Sequence, residues 1–272
     1  MVNSYYPTSL KEALDIIAKE AVTPYAGGTD LMINGDENAT YLFLNKVPDM
    51  KYIVEDKKYI RIGAACTLTD IFESKLTSSI LKEAIAQIAA PAIRNLATCG
   101  GNICNGSAKG DTTLIFFATG SKLRLVSHKG ERVIPISEFY IGNKKTSLKK
   151  DELLVEILMD KTGLSNYYYK KVGARNALAI SRVSFAAILN IDDGKIKNCI
   201  TAFGAISDVI ISLAYIDGMF IGKTIKQAKE IKDEYLCAYD KEIVPTNGRI
   251  SAEYRKIVCM NLLRDFLESN GI

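Results

Sequence analysis

Apolar residues first recur at helical spacing. Leu10, Ala13, Leu14 and Ile17 fall on one face, behind a capping box in Ser9-Leu10-Lys11-Glu12, which predicts an amphipathic helix to about residue 20. Strand-like stretches follow at 22–26 and 40–44. The pattern changes near residue 56. Residues 58–63 alternate as a strand, Thr67 caps a short helix, and 79–90 read as a longer helix ended by Pro91. A glycine-rich stretch over 98–111 reads as irregular, and strands at 122–127, 131–136 and 153–159 complete this block. A third segment begins near Ser165. Strands at 166–172 and 181–191 are followed by the hairpin turn Asp192-Asp193-Gly194 and a returning strand at 195–203. Helices at 224–231 and 251–268 close the chain. The fold class is α+β, without internal repeats.

Composition narrows the function classes. The 272 residues carry 35 Lys and Arg against 31 Asp and Glu, with 48% hydrophobic and 24% charged residues. That balance is globular, which sets disorder aside, and a net charge of +4 is no nucleic-acid footprint. No run approaches the ~18 apolar residues of a membrane span. The first ten residues are polar and lack the apolar core of a signal peptide, and the six cysteines form no CxxC pair. Reduced thiols in a cytoplasmic protein are therefore expected. With His128 as the single histidine, neither a zinc site nor a Ser/His/Asp triad is expected. Iron–sulfur ligation takes a close set of four thiolates, which the sequence does not offer. No metal ligand and no catalytic acid or base is predicted. The roles of Cys99 and Cys104, which flank a glycine loop, stay open.

The candidate chemistry lies in two glycine pairs, Ala26-Gly27-Gly28-Thr29-Asp30 and Thr98-Cys99-Gly100-Gly101-Asn102. Glycine permits positive φ and a close approach of ligand to main chain, and successive free N–H groups make an anion-binding concavity. Thr29, Thr98 and Asn102 add side-chain hydrogen-bonding capacity. Two such loops suit a diphosphate. Neither matches a P-loop or a GxGxxG dinucleotide fingerprint.

Around these loops the chain resembles the FAD-binding subunits of the molybdenum hydroxylases, the group that includes xanthine, carbon monoxide and nicotinate dehydrogenases. The resemblance rests on AGGTD at Ala26 and T-x-GGN at Thr98, with Asp111 nine residues beyond Asn102. Lys171-Val172-Gly173-Ala174-Arg175, followed by Ala177-Leu178-Ala179-Ile180-Ser181, resembles a further family stretch, and Ser251-Ala252-Glu253-Tyr254-Arg255 its terminal helix. It departs from the family in Gly106-Ser107-Ala108-Lys109-Gly110-Asp111, where a proline is usual, so that loop is expected to be loose.

The resemblance implies a two-subdomain FAD-binding domain of the vanillyl-alcohol-oxidase (PCMH) type over 1–160, divided near 55, and a C-terminal domain over 165–272. It implies FAD as cofactor. Pro24, Tyr25, Ala26, Gly27, Gly28, Thr29, Asp30 and Leu31, with Thr98, Cys99, Gly100, Gly101 and Asn102, would wrap its pyrophosphate and ribityl chain. Asp111 would hydrogen-bond its adenosine or ribityl part, or alternatively cap the helix at 112–118. Lys171 would approach the flavin and Leu154 would pack near the ring. The implied partners are a molybdenum-cofactor large subunit and a small subunit with two 2Fe-2S clusters, in a dimer of heterotrimers. NAD(P) or another acceptor would take the electrons, and a xanthine dehydrogenase-type complex is the preferred assignment. Two other readings stay open: a free-standing flavin reductase of the same fold, and a structural subunit that has lost FAD.

Overall fold

The computed structural model describes residues 4–36, 38–175 and 178–272. Contacts divide the chain into two compact units that are discontinuous in sequence: 1–77 with 88–106 and 121–160, and 78–87 with 107–120 and 161–272.

The first unit holds a small parallel sheet in the order Ser4–Tyr5, Tyr41–Phe43, Thr23–Tyr25. The third of these is an edge strand, which tolerates Pro24 because its missing N–H is not needed by a second neighbour. A five-stranded antiparallel sheet follows in the order Ile53–Glu55, Tyr59–Gly63, Glu152–Asp160, Lys122–Ser127, Gly130–Pro135. Its middle strand is buried from Glu152 to Met159, so it reads as an apolar run broken by two carboxylates. One of them, Glu156, is fully buried and takes two guanidinium bonds from Arg61, at 2.9 and 2.8 Å, and the Tyr52 hydroxyl at 2.5 Å. Such a pair is tolerated only because every oxygen is met.

Local signals act much as the sequence suggests, with three differences. Ser9 caps the helix Leu10–Lys19 by accepting from the Glu12 N–H, but the Glu12 carboxylate reaches back to Thr8, at 2.8 Å, and not to Ser9. Pro91 does not end the helix before it. That helix, Ser79–Ala86, stops earlier, and Pro91 starts the short helix Pro91–Arg94, where its fixed φ and absent N–H cost nothing. The stretch expected to be irregular contains a helix, Cys99–Cys104, capped by the Thr98 hydroxyl.

The second unit is built on the meander Tyr167–Val172, Val183–Asp192, Lys195–Gly204. Asp193 and Gly194, at φ +49° and +69°, form its hairpin turn, as the sequence signals. The middle strand is buried on both faces over 183–189. Val183, Phe185, Ala187 and Leu189 join an aromatic core with Phe203, Phe220, Tyr235, Tyr239 and Phe266. That core is closed by the helices Lys232–Glu242 and Ala252–Ser269, of which the first carried no clear sequence signal. The opposite face is covered by Ser79–Ala86 and Asp111–Ala118. All eight residues of Asp111–Ala118 are buried, so its apolar part, Leu114 to Ala118, needs no polar face.

Within this core lies Asp217, 2% exposed. One oxygen accepts from the Tyr235 (2.7 Å), Tyr239 (2.8 Å) and Thr201 (3.0 Å) hydroxyls, the other from the Thr201 N–H (2.8 Å). Burial pushes its carboxyl up from 3.8 to about 6, against the pull of these donors. The folded state therefore binds the proton more tightly than the unfolded one. This contribution is complete below about pH 4 and is lost as pH rises through about 6, at most about 3 kcal/mol. Urea midpoints are expected to fall across that window, and to fall less in Asp217→Asn; matching profiles would remove Asp217 as their source.

Candidate functional site

The first glycine loop leaves the edge strand at Tyr25, whose ring packs on Phe43 with centroids 4.6 Å apart. Gly27 lies against the backbone of the second loop: a Cβ there would stand 1.9 Å from the Leu96 carbonyl oxygen. Gly28 has φ +68°, and its missing side chain leaves room for the Tyr25 hydroxyl, 2.0 Å from where a Cβ would be. Among the described residues, the N–H groups of Gly27, Gly28, Thr29 and Asp30 donate to no protein acceptor. Four consecutive free amides beside a left-handed glycine form the concavity that suits a phosphate.

The second loop is different, and this corrects the expectation of matched amide nests. Its N–H groups are spent inside the protein. Cys99 donates to the Cys66 carbonyl (3.1 Å), Gly100 to the Ala64 carbonyl (2.9 Å), Gly101 to the Thr98 hydroxyl (3.0 Å) and Asn102 to the Thr98 carbonyl (3.0 Å). Gly100 is needed for packing, since a Cβ would come within 2.6 Å of the Ala64 side chain. Gly101 is exposed, and its Cβ position lies 3.8 Å from Ala26. The two loops thus adjoin, one offering amides and the other a capped helix start. Leu154 is a buried member of the five-stranded sheet, paired with Leu125 beside a bulge.

Cys99 is fully buried, and burial pushes its thiol well above the ordinary range. Cys66 is pushed up to about 11 for the same reason. Both remain protonated thiols at neutral pH, a structural environment and not a reactive one. Cys104 is exposed.

In the second unit the structure brings Asp111 and Lys171 together. Asp111 is the first residue of its helix, and Gly110 occupies the cap position that the sequence offered to Asp111. One Asp111 oxygen takes the Lys171 ammonium at 2.7 Å, and the other takes the Ser181 hydroxyl at 2.6 Å. Lys171 also donates to the Gln87 carbonyl at 3.0 Å. The strand carrying Lys171 is at the edge of its sheet, yet both side chains of the pair are only 7% exposed. Burial pushes the Asp111 carboxyl up, while the ammonium and the hydroxyl pull against it. The segment before Asp111, expected to be loose without the proline, is tied down: the Ala108 carbonyl accepts from the Ala205 N–H at 2.8 Å, and Gly110 donates to the Ser107 carbonyl at 3.2 Å. Ser181 was visible in the sequence only as the end of a motif, and nothing local marks it as the partner of Asp111.

Each of these donor sets suits one kind of polar group. The open amides suit a diphosphate. Among the described residues, the ion pair keeps hydrogen-bonding capacity on all three of its polar atoms and suits neutral hydroxyl groups. Residues 1–159 match the FAD binding domain in molybdopterin dehydrogenase, and residues 167–270 match the CO dehydrogenase flavoprotein C-terminal domain. The xanthine dehydrogenase FAD-binding subunit of Escherichia coli O157:H7 is 31% identical over 210 residues, covering 72% of this chain and 71% of that one. The nicotinate dehydrogenase FAD-subunit of Eubacterium barkeri is 29% identical over 203 residues, covering 70% and 69%. The fold matches a chain of reconstituted CO dehydrogenase from Oligotropha carboxidovorans with a TM-score of 0.88 at 23% identity, over 98% of this chain and 96% of that one.

The chain belongs to the FAD-binding subunits of the molybdenum hydroxylases, and FAD is its cofactor. It is the flavoprotein part of an oxidoreductase, with the expected α+β architecture of an FAD-binding domain and a C-terminal domain. Among the described residues, no helix is long and apolar enough to cross a membrane.

Proposed function

We propose that this chain is the electron-transfer subunit of a xanthine dehydrogenase-type complex in the cytoplasm. A large subunit with the molybdenum cofactor oxidises the substrate, and a small subunit feeds electrons singly through its 2Fe-2S clusters. NAD(P) or another acceptor receives them in pairs, within a dimer of heterotrimers. The FAD-binding domain spans residues 1–160, with subdomains about 1–55 and 56–160, and the C-terminal domain spans 165–272. Bound FAD supplies the exchange between one-electron and two-electron chemistry.

The chain's own residues bind and orient. The backbone over 24–31, led by the amides of Gly27, Gly28, Thr29 and Asp30, holds the pyrophosphate. Thr98, Cys99, Gly100, Gly101 and Asn102 form the facing wall, in which Gly100 packs on Ala64 and the exposed Gly101 leaves room for the ligand. Asp111 and Lys171 hold the ribityl side of the flavin, and Leu154 shields it from water. No side chain is required as a general acid or base.

The observation that carries this reading is the row of four free amides against the Gly27–Leu96 contact. The first test is the visible absorption spectrum of the purified chain, with the released chromophore identified by mass spectrometry. A flavin spectrum with FAD at about one per chain is expected. A colourless chain that also fails to take up added FAD would overturn it. Co-purification from a cell extract then tests the partners: iron–sulfur and molybdenum subunits are expected, and full NADH turnover by the chain alone would favour a free-standing reductase.

A further inference from the structure

The strand Tyr167–Val172 has two distinct faces. Tyr168 and Val172 turn toward the aromatic core, with Tyr168 edge-on to Phe185 and Phe266. By the alternation of a strand, Tyr167, Tyr169 and Lys171 share the other face. Two of the three have polar partners there. The negative charge of Glu83 acts on Tyr167, and Lys171 bonds Asp111 and the Gln87 carbonyl.

Tyr169, between them, does not. It is 3% exposed, and among the described residues its buried hydroxyl has no hydrogen-bond partner. The negative charges of Asp111 and Glu83 act on it, and with burial they push the phenol up, so it remains a neutral O–H. A buried hydroxyl left unmatched is costly, and phenylalanine would fill the same space without that cost. Tyr169 shares its strand face with Lys171, the residue whose ammonium bonds the Asp111 carboxylate.

The neighbouring pair has capacity left. Among the described residues, each Asp111 oxygen accepts one hydrogen bond and retains a second lone pair, and Lys171 uses two of its three N–H bonds. One negative and one positive charge cancel, so the group has no excess of cations for a diphosphate. A polyol fits instead, because a hydroxyl can donate to a carboxylate while it accepts from an ammonium or a phenol.

We propose that the Tyr169 hydroxyl is a direct cofactor contact, joining Asp111 and Lys171 in a site for the ribityl hydroxyl groups of FAD. This rests on the reading above that Asp111 and Lys171 contact the flavin side of the cofactor.

The test compares the wild-type chain with Tyr169→Phe, both stripped of flavin. Flavin fluorescence quenching gives affinities for FAD and riboflavin, competition gives that for ADP, and thermal melting reports the fold. Tyr169→Phe is expected to weaken FAD and riboflavin about tenfold, to leave ADP unchanged, and to melt at or above the wild-type temperature. Unchanged FAD affinity would overturn the proposal, and a lower melting temperature alongside it would assign the hydroxyl to the interior structure. Equal weakening of ADP would overturn the ribityl assignment. A wild-type chain that binds no FAD would instead overturn the reading beneath it, and the proposal with it.

Discussion

Gly27→Val is expected to abolish FAD binding, with a loss of at least about a hundredfold, or about 2.8 kcal/mol. The reason is geometric. A Cβ at Gly27 would lie 1.9 Å from a carbonyl oxygen and 2.6 Å from its carbon, both in the backbone at Leu96. A flexible neighbour could swing aside, whereas a backbone segment between Pro91–Arg94 and Cys99–Cys104 must move as a whole. The amides of residues 27–30 then lose their common direction. Even Gly27→Ala carries the offending atom and is expected to weaken FAD severely. Gly218→Ala is the matched control: no heavy atom lies within 4 Å of its Cβ position and its φ is ordinary, so affinity and stability should hold. Titration calorimetry with FAD on the three variants measures this. Wild-type affinity in Gly27→Val would mean that the first loop is not the pyrophosphate site.

Lys171→Met is the second large expected effect, on stability before binding. It leaves the Asp111 carboxylate buried with the Ser181 hydroxyl as its remaining side-chain donor. Removing one partner of such a pair costs about 3–5 kcal/mol. The pH dependence follows from the sign of the shift. The Asp111 carboxyl already lies above its ordinary value because of burial, and losing the ammonium drives it further up. A raised folded-state value means stability that is present at low pH and lost as pH rises through that value. The deficit of Lys171→Met relative to wild type should therefore be largest above neutrality and shrink on acidification, when Asp111 takes a proton and no longer needs the cation. Urea unfolding of the flavin-free chain at several pH values measures it. Adding Asp111→Asn to Lys171→Met should recover much of the loss. A deficit independent of pH would show that Lys171 contributes by packing alone.

Most regular elements were legible because their signals are local. Thr67, Thr224 and Ser251 cap the helices they precede, and Asp193-Gly194 turns the hairpin that its sequence signals. Each device depends on residues within four positions, so no knowledge of the rest of the chain is needed. The boundaries that failed were also local competitions. Pro91 serves equally to stop one helix or to start another, and only the earlier end of Ser79–Ala86 decides which. The helix Cys99–Cys104 was hidden because its glycines score as breakers, while Thr98 and the close contact of Gly100 with Ala64 hold them in place.

The sequence by itself determined the α+β class, the meander, and the two glycine loops with the family to which they point. Only the tertiary structure decided what each glycine does. The first loop keeps its amides free, and the second spends them on Cys66, Ala64 and Thr98, residues that periodicity cannot bring together. It also decided that Ser79–Ala86 and Asp111–Ala118 belong with strands about 50 or more residues downstream, because a sheet buried on both faces must be covered from both sides. From that placement comes the pairing of Asp111 with Lys171 and Ser181, 60 and 70 residues apart in sequence. A charge or an orphaned hydroxyl acquires meaning from what stands beside it in space, and spacing along the chain does not encode that.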